Sequence, residues 1–386
     1  MTTFRLLFLG AGFSVPAGLP LGAALFRHVR RVINGDQGTD NHVERDIARF
    51  IEYLERCFGR NVLPDEIDCE EFLGFLDVEH YLGLKGKDTF SAEGNESQLM
   101  IRRAIGKVIH SMTPRGDAIP DVYRRFAGQL NSSDYICTFN YDTLLEQALE
   151  LEGVPYRLYP QRYSDVGPTS CIIDTDTPDE LAVIKLHGSI DWYSRQGFDV
   201  LNQQAIDAPE LYPIGHQTKH PIFGYDASIP SRQLTDGPRP ADDSLQLLYR
   251  VDDVERAHAQ PWWNCSPFIL SPSTAKLYNA QPLMEFWRGL QRGGGTNLSL
   301  GIIGYSLPDY DDYAMQALYY IARNYQYYEP DLEHEGRRKT NVRIIDFDSS
   351  GVPSYRFRNR YRFLDWSRTE TWFTGFDANA ADWMLR

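Results

Sequence analysis

Short apolar runs rich in β-branched and aromatic residues recur along the chain, and each is bounded by turn or cap residues. The six runs are FRLLFLG, DYICTFN, LAVIKLHG, SPFILSP, LSLGIIGYS and NVRIIDFD. Their apolar positions are continuous rather than alternating, which is typical of strands buried on both faces of a parallel sheet. The pattern therefore predicts six strands of a sheet covered by helices.

Amphipathic helical patterns lie between these runs. One of them, over residues 25–33, stops at Asn34-Gly35, which predicts a helix C-terminus there. Another begins near Asp142, where Thr143 and Glu146 have the spacing of a capping box.

A third helix follows an acidic cluster, and its apolar stripe is formed by Ala314, Leu318 and Ile321. The cluster consists of Asp309, Asp311 and Asp312, which we expect to cap this helix rather than bind a metal. Alternation of strands and helices predicts an α/β fold with a Rossmann-like, mostly parallel sheet.

Two long intervals interrupt this alternation. Residues 36–130 contain several helical patterns and predict a helical inserted subdomain. Residues 195–262 are rich in Pro, Gln, Asp and Tyr and predict an irregular insertion or lid. The remaining residues, 1–35 and 131–350, are expected to form the main domain, followed by a C-terminal segment of residues 351–386.

Composition narrows the function classes. The chain has 386 residues and a formal net charge of −14, which opposes general attraction to nucleic acid or to an anionic membrane. No apolar stretch approaches the roughly 20 residues of a membrane span. The five cysteines contain no C-x-x-C pair, so we expect a reducing cytoplasm, no disulfide framework and no metal.

The first predicted strand ends abruptly in Gly10-Ala11-Gly12-Phe13-Ser14. A strand that stops at such a loop before a helix can place free backbone N–H groups around a phosphate. Val15 occupies the third glycine position of G-x-G-x-x-G, however, and no P-loop motif is present. On this stretch alone, a phosphate cradle and a plain turn with Ser14 as a helix cap are equally favoured.

Three other predicted strands end in polar residues. Asn140 and Asp142 follow one strand, His187 follows another, and Ser306 follows a third. Ligands of open α/β sheets gather at the carboxyl ends of strands, so these residues together predict a site. Spacing alone leaves Asp142 either a helix cap or a ligand contact.

These motifs, in this order, resemble the sirtuin superfamily, and most closely its bacterial sirtuin-like NAD-cleaving branch of antiphage defence effectors. Gly10 to Ser14 followed by Gly18-Leu19-Pro20 resembles the first NAD loop, and Thr138-Phe139-Asn140-Tyr141-Asp142 resembles T-Q-N-x-D. Leu186-His187-Gly188 resembles the catalytic H-G motif, and Gly304-Tyr305-Ser306 stands in place of G-T-S. The four-cysteine zinc module of deacylating sirtuins is missing from the sequence, and Phe139 replaces the Gln.

The resemblance implies roles for these residues in an NAD site. His187 would be the general base, since its ordinary pKa of about 6.5 suits proton transfer near neutral pH, and Asn140 would position water and ribose. Asp142 would hold the nicotinamide carboxamide, and Asp346 the adenosine ribose. The remaining expected NAD contacts are Gly10, Ala11, Gly12, Phe13, Ser14, Leu19, Pro20, Thr138, Gly304, Tyr305 and Ser306.

The function implied is NAD⁺ glycohydrolase activity that depletes cellular NAD during phage infection. The alternatives are an NAD-dependent protein deacylase or ADP-ribosyltransferase, and a non-catalytic sensor of ADP-ribose-type nucleotides. The resemblance also implies a homo-oligomer and, as a partner, a HerA-type ATPase encoded nearby.

The segment YRFRNRYRF, residues 355–363, alternates arginines with aromatic residues, apart from Asn359. This period of two predicts a strand with arginines on one face and aromatics on the other. An edge strand with a solvated arginine face is the first interpretation, a docking face for another subunit is the second, and a nucleic-acid contact is the third.

Overall fold

A computed structural model provides the structure of the chain. It describes residues 4–85, 94–159, 161, 163–166, 171–173, 179–195, 207, 229–235, 244–259, 266–270, 287, 290, 293–308 and 311–386. Most of the predicted lid at residues 195–262 lies outside the described residues, as do Asp309 and Cys265.

Strands and helices are numbered separately in chain order. The strands are β1 (Arg5–Leu9), β2 (Tyr135–Thr138), β3 (Tyr156–Leu158), β4 (Tyr163–Val166), β5 (Cys171–Ile173), β6 (Leu181–Lys185), β7 (Trp192–Ser194), β8 (Ser231–Gln233), β9 (Leu248–Val251), β10 (Ser299–Ile303), β11 (Glu333–His334), β12 (Arg337–Arg338), β13 (Val342–Ile345) and β14 (Thr369–Trp372). The helices are α1 (Gly22–Gln37), α2 (His42–Phe58), α3 (Cys69–Leu82), α4 (Glu96–Met112), α5 (Asp121–Ala127), α6 (Leu144–Leu151), α7 (Val254–His258), α8 (Asp312–Tyr327), α9 (Tyr355–Arg360) and α10 (Ala378–Leu385).

Seven strands form a central sheet in the order β14-β13-β10-β1-β2-β6-β3. Every pair of neighbours in it is parallel. The strands β1 and β10 are buried along their whole length, as their continuous apolar runs require. The predicted Rossmann-like parallel sheet flanked by helices is confirmed by this topology.

The chain leaves the central strand β1 toward β2 on one side and later adds β10 on the other side. In open α/β sheets, such a reversal of strand order opens a crevice at the carboxyl ends of the strands. The helices α1 to α4, which lie between β1 and β2, bury an apolar cluster that is separate from the cluster around the sheet. That second cluster includes Phe26, Phe50, Phe72 and Ile105.

Two predicted helix ends and two predicted strands are wrong. The helix α1 continues past Gly35 to Gln37 and ends at Gly38, whose φ of 77° suits a glycine. Thr143 forms no side-chain cap; instead the backbone N–H of Leu144 donates to Asp142 Oδ1 at 3.0 Å.

The predicted strand SPFILSP is not a strand in its described part. The backbone of this segment pairs with the turn after β6: the Leu270 N–H donates to the His187 carbonyl at 2.9 Å, and the Ser189 N–H donates to the Phe268 carbonyl at 3.1 Å. Its apolar side chains are buried against that turn, where Ile269 and Leu270 are 3% and 4% exposed. The segment has the apolar composition of a strand because its side chains are buried, although it is not part of the sheet.

The predicted strand YRFRNRYRF is also wrong, because residues 355–360 form the helix α9. Ser354 caps this helix by accepting from the Phe357 N–H at 3.3 Å. Phe357 and Tyr361, four residues apart, are buried and stack with their ring centroids 4.7 Å apart, while Tyr355 is 86% exposed. The helical spacing of this buried aromatic pair therefore determines the structure of the segment, and the alternation of arginines and aromatics does not.

Candidate active site

A cavity of about 330 Å³ lies at the carboxyl ends of the central strands. Twelve of the residues that we expected in the site line it. They are Ala11, Gly12, Ser14, Leu19, Pro20, Asn140, Asp142, His187, Gly304, Tyr305, Ser306 and Asp346. The cavity thus brings together residues from nearly the whole length of the chain, from Ala11 to Asp346.

Three of the expected site residues are not in the cavity lining. Phe13 is buried in the core against Tyr123 and Phe376. Thr138 holds the backbone of Asn140, whose N–H donates to Thr138 Oγ1 at 3.1 Å. Gly10 lies beneath the turn after β10. These three residues act behind the cavity surface rather than on it.

The two glycines of the first loop serve packing between loops. A Cβ on Gly10 would lie 2.6 Å from the Gly304 carbonyl oxygen, and a Cβ on Gly12 would lie 2.7 Å from the Gly304 Cα. Gly304 has a φ of 63°, and a Cβ there would lie 2.2 Å from the Phe13 nitrogen. The loops after β1 and β10 therefore touch through bare backbone, which only glycine permits.

This packing uses most of the N–H groups that we expected to be free. The Gly10 N–H donates to Ile303 O at 2.9 Å and the Gly12 N–H to Gly304 O at 2.8 Å, while the Phe13 and Ser14 N–H groups close turns within the loop. Among the described residues, only the Ala11 N–H of this stretch lacks a backbone acceptor. The prediction of a cradle of free N–H groups is therefore wrong for four of its five residues.

The helix that follows this loop is also displaced from the predicted position. Two short 3₁₀ turns, Ala11–Phe13 and Val15–Ala17, come first, and α1 begins only at Gly22. Ser14 makes no side-chain cap, so the interpretation as a plain turn capped by Ser14 is wrong as well. Gly22 itself lines the cavity. The N-terminus of α1 therefore reaches the site at Gly22, and not directly after Gly10 to Ser14 as predicted.

Ser14 links the two polar residues that follow β2. Its hydroxyl donates to Asp142 Oδ2 at 2.8 Å and accepts from Asn140 Nδ2 at 3.1 Å. Asn140 is only 8% exposed, and its Oδ1 has no hydrogen-bond partner among the described residues. A buried acceptor without a partner is costly, so this oxygen is an acceptor held ready for a ligand or a water.

Asp142 caps a helix and also lines the cavity. Its Oδ1 accepts the Leu144 N–H at the start of α6, as a helix-capping residue does. The same carboxylate also lines the cavity beside Asn140. Its capping bond fixes the carboxylate in the direction of the cavity.

His187 lies at the end of β6, and its side chain is only 4% exposed. Its Nε2 lies 2.7 Å from the Tyr313 hydroxyl and 4.0 Å from Asp311 Oδ1. Its ring also meets Phe139 edge to face, with the centroids 5.1 Å apart. The imidazole is therefore held by a hydroxyl, a carboxylate and an aromatic wall.

Asp311 was expected to cap α8, but its side chain makes no cap bond. The carboxylate is fully buried, lines the cavity, and accepts a hydrogen bond from the Tyr305 hydroxyl. Burial, together with this carboxylate, raises the pKa of Tyr305 well above its ordinary value. The sequence interpretation missed Asp311 as a site residue, because an acidic residue before a helix looks like a cap. It also missed Tyr313, which contacts His187 from the first turn of α8.

Asp346 and Ser306 also line the cavity. Asp346 follows β13, and its Oδ1 accepts the Phe347 N–H at 2.8 Å. Burial raises the pKa of its carboxyl group, against the effect of that hydrogen bond. Ser306 is an exposed residue of the lining.

The described lining of the cavity carries five carboxylates and neither Lys nor Arg. Asp68 and Glu70, which the sequence interpretation also missed, come from the first turn of α3 and its cap. They join Asp142, Asp311 and Asp346. Such a lining favours a positively charged group in the ligand.

A buried ion pair supports the floor of the site. Lys185 Nζ donates to the Asp142 carbonyl at 2.6 Å and to Glu146 Oε1 at 2.7 Å, with both charged side chains buried. Burial raises the pKa of Glu146, and Lys185 opposes that rise. The pair ties the end of β6 to α6 directly beneath Asp142.

The described residues provide no candidate metal centre and no membrane-spanning element. They contain no group of three or more His, Cys, Asp or Glu side chains arranged to hold an ion. Every helix in the described part of the chain is too short or too polar to cross a lipid bilayer. The cysteines with described side chains, Cys57, Cys69 and Cys137, are free thiols.

Comparisons with known proteins complete the description of the site. Solved structures that match include "The Structural basis of Sirtuin Substrate Affinity" (13% identity, TM-score 0.30) and "Structure of Sir2Tm bound to a propionylated peptide" (11% identity, TM-score 0.28). Each alignment covers 99% of this chain and 92% of the other. A search of curated proteins found no match. The model of the SIR2-like domain family matches residues 134–210, the stretch with Asn140, Asp142 and His187, which confirms the resemblance to the SIR2-like family inferred from the sequence motifs.

Proposed function

We propose that this protein binds NAD⁺ and hydrolyses the bond between its nicotinamide and ribose. The observation that carries the proposal is the pairing of Asn140 and His187 in one cavity, with the Asn140 Oδ1 buried and without a partner among the described residues. The SIR2-like match over residues 134–210 supports an NAD-related function. The acidic lining suits the positively charged pyridinium of NAD⁺.

The reaction needs little more than a base and correct positioning. The nicotinamide leaves with the bonding electron pair and becomes neutral, so it needs no proton from an acid. A water then forms a bond to the ribose C1′ and gives up a proton. The products are nicotinamide, ADP-ribose and that proton.

His187 is the group proposed to take the proton. A neutral imidazole accepts protons near neutral pH, and the Tyr313 hydroxyl and the Asp311 carboxylate next to Nε2 can fix its orientation and stabilise its protonated form. Asn140 Oδ1 would accept a hydrogen bond from the attacking water or from a ribose hydroxyl. Its position is fixed by the bond from Nδ2 to Ser14.

The rest of the NAD⁺ molecule is assigned to the other lining residues. Asp142 would accept from the nicotinamide carboxamide, and Asp346 from the hydroxyls of the adenosine ribose. The Ala11 N–H and the exposed Ser306 hydroxyl would donate to the phosphates, since the other N–H groups of Gly10 to Ser14 are already bonded. This division differs from a glycine-loop cradle because the loop packs on Gly304.

The test is release of nicotinamide and ADP-ribose from NAD⁺ by the purified protein, followed by chromatography. Asn140→Ala and His187→Ala are each expected to reduce turnover by at least about a hundredfold, because positioning and general-base terms are of that size. Asn359→Ala and His334→Ala, which change exposed residues outside the cavity, should retain full turnover. Full turnover by both cavity variants would refute the proposal.

The same assay separates the alternative functions. Nicotinamide release that requires an acylated peptide would indicate a deacylase, and transfer of labelled ADP-ribose to protein would indicate a transferase. Tight binding of ADP-ribose without turnover would indicate a sensor.

The cellular role we propose is depletion of NAD during phage infection, with a homo-oligomer and a HerA-type ATPase partner. The support is the resemblance of the motif set to antiphage effectors. Cells that express the chain with its genomic neighbour should lose NAD after infection, and cells with His187→Ala should keep it. Equal NAD levels in the two cultures would refute this cellular role and would leave the proposal of NAD⁺ hydrolysis untouched.

A further inference from the structure

A second cleft, of about 640 Å³, lies between α4 and α7, and its described lining shares no residue with the cavity at the strand ends. We call it the α4–α7 cleft. Its described lining includes Arg103, Lys107 and Arg115, with His110 and His258 beside them. Three cations converge here although the whole chain has a formal net charge of −14.

The cations share one side of α4 because of their spacing. Arg103, Lys107 and His110 follow each other at intervals of four and three residues, which puts them on one helix face. Arg115, just beyond the helix, reaches back so that its Nη2 lies 2.5 Å from His110 Nε2. Arg103 is fixed by donating from Nη2 to the His258 carbonyl at 2.8 Å.

The carboxylates of the cleft do not neutralise this cluster strongly. Lys107 pairs with Asp36 at 2.6 Å, but the Asp36 side chain is half exposed, and such surface pairs contribute little. Glu255 lies on the exposed surface of α7. An entering anion can therefore replace water and compete with Asp36 for Lys107.

His258 marks the inner wall of the cleft. Its side chain is buried against α4, where a Cβ on Gly106 would lie 2.4 Å from the imidazole Cε1. Its Nε2 has no hydrogen-bond partner among the described residues. Burial is the main cause that lowers its pKa to about 3, and the nearby His110, Arg103 and Lys107 lower it further.

We propose that the α4–α7 cleft is a second binding site, specific for a phosphorylated small molecule. Its volume is that of a ligand larger than a single phosphate, and its guanidinium groups suit phosphate oxygens. The helix α4 forms a wall of both clefts, since Ile109 lines the carboxyl-end cavity while Lys107 and His110 line this one. A ligand in the α4–α7 cleft is therefore in contact with a helix that also shapes the candidate active site.

The test is calorimetric titration of the full chain with inorganic pyrophosphate as the probe. The double variant Lys107→Gln/Arg115→Gln should bind pyrophosphate at least tenfold more weakly than the natural chain. The control Arg337→Gln/Arg338→Gln removes the same charge from an exposed hairpin and should bind normally. Glu255→Gln removes an opposing carboxylate and should bind several-fold more tightly.

Three results would overturn the proposal. One is equal pyrophosphate binding by the natural chain and by Lys107→Gln/Arg115→Gln, with matching thermal melting curves to show that both are folded. Another is binding that disappears when ADP-ribose saturates the protein but survives the double substitution, which would locate the anion in the carboxyl-end cavity. Absence of pyrophosphate binding by the natural chain would also refute the site.

Discussion

Asn140 shows how the candidate site is held ready by its own residues. Its Nδ2 is fixed by Ser14, its N–H by Thr138, and only its Oδ1 is left without a partner in the described chain. An unpaired buried acceptor costs about 1–3 kcal/mol of folding free energy. A buried acceptor that is left unpaired at this cost is expected at a functional position.

Asp311 provides a prediction at the same scale. Asp311→Asn should lower kcat for NAD⁺ cleavage by about tenfold or more with little change in KM, because the carboxylate 4.0 Å from His187 Nε2 would no longer stabilise the protonated imidazole. Steady-state kinetics measure both constants. Asp312→Asn is the matched control, since the next residue is exposed and begins the same helix. Equal losses in the two variants would show that only the helix start matters.

His258 gives a prediction about stability. Its pKa is lowered to about 3 in the folded chain, while the unfolded chain has the ordinary value of about 6.5, so the unfolded state binds more protons between these values. Stability from this group is therefore lost as pH falls from above 6.5 toward 3. The loss between pH 7 and pH 5 amounts to about 2 kcal/mol.

Urea unfolding of the natural chain and of His258→Asn at both pH values measures this effect. The variant should lack the contribution, so the difference in unfolding free energy between the two proteins should shrink by about that amount at pH 5. Groups that face the imidazole, namely Tyr193, His110, Arg103 and Lys107, are unchanged in the comparison. An identical pH dependence would contradict the burial of a neutral imidazole.

At the residue scale, the sequence predicted which residues meet but not what each one touches. Asn140 and His187 follow buried apolar runs, so their place at the carboxyl edge follows from parallel pairing. Asp311 and Asp68 have no such signal, because a helix-capping residue and a cavity residue have the same local sequence. Their place in the cavity lining, and the contact of Tyr313 with His187, depend on packing between distant elements.

At the scale of elements, the helix α9 supports the turn that follows β10. The Tyr361 hydroxyl, just after α9, donates to the Tyr305 carbonyl at 2.6 Å, and Arg360 Nη1 donates to the Ser306 carbonyl at 3.3 Å. The arginine and aromatic segment thus contacts the site from behind. Its roles as a docking face or a nucleic-acid contact remain predictions.

Tyr361→Phe tests this support. Removal of the hydroxyl leaves the buried Tyr305 carbonyl without that donor, so unfolding free energy should fall by about 1 kcal/mol. The KM for NAD⁺ should rise several-fold, because the Gly304 to Ser306 turn is less well fixed. Chemical denaturation and kinetics measure the two effects. Tyr355→Phe, at an exposed position of the same helix, should change neither.

The sequence predicted the central elements better than the peripheral ones. The strands β1, β2, β6, β10 and β13 have short, continuous apolar runs. Such runs are typical of strands buried on both faces of a sheet, so their structure could be predicted. The segment 355–363 has two competing periods, and the pair Phe357 and Tyr361 decides for helix only because a core is present to receive it. The stretch 267–270 is buried because its backbone pairs with the turn that contains His187. No local sequence pattern indicates that pairing.

For the whole molecule, charge is the feature that separates the two clefts. The cavity at the strand ends carries five carboxylates in its described lining, and the α4–α7 cleft carries three cations. The overall charge of −14 opposes the approach of anions to the molecule, while the three cations of the α4–α7 cleft attract anions locally. Pyridinium is attracted to the first cleft while the phosphates of the same NAD⁺ molecule are repelled by it.

This balance predicts how NAD⁺ cleavage depends on salt. NAD⁺ carries a net charge of about −1, so an acidic protein slows its approach at low ionic strength, and salt screens that repulsion. The kcat/KM for NAD⁺ should rise about two- to fivefold between roughly 20 and 200 mM salt. NADP⁺ adds a phosphate of about −1.5 to −2 charge, so its kcat/KM should be lower and should rise more steeply. A kcat/KM that falls with salt for both substrates would show that local cations outside the described lining dominate the approach.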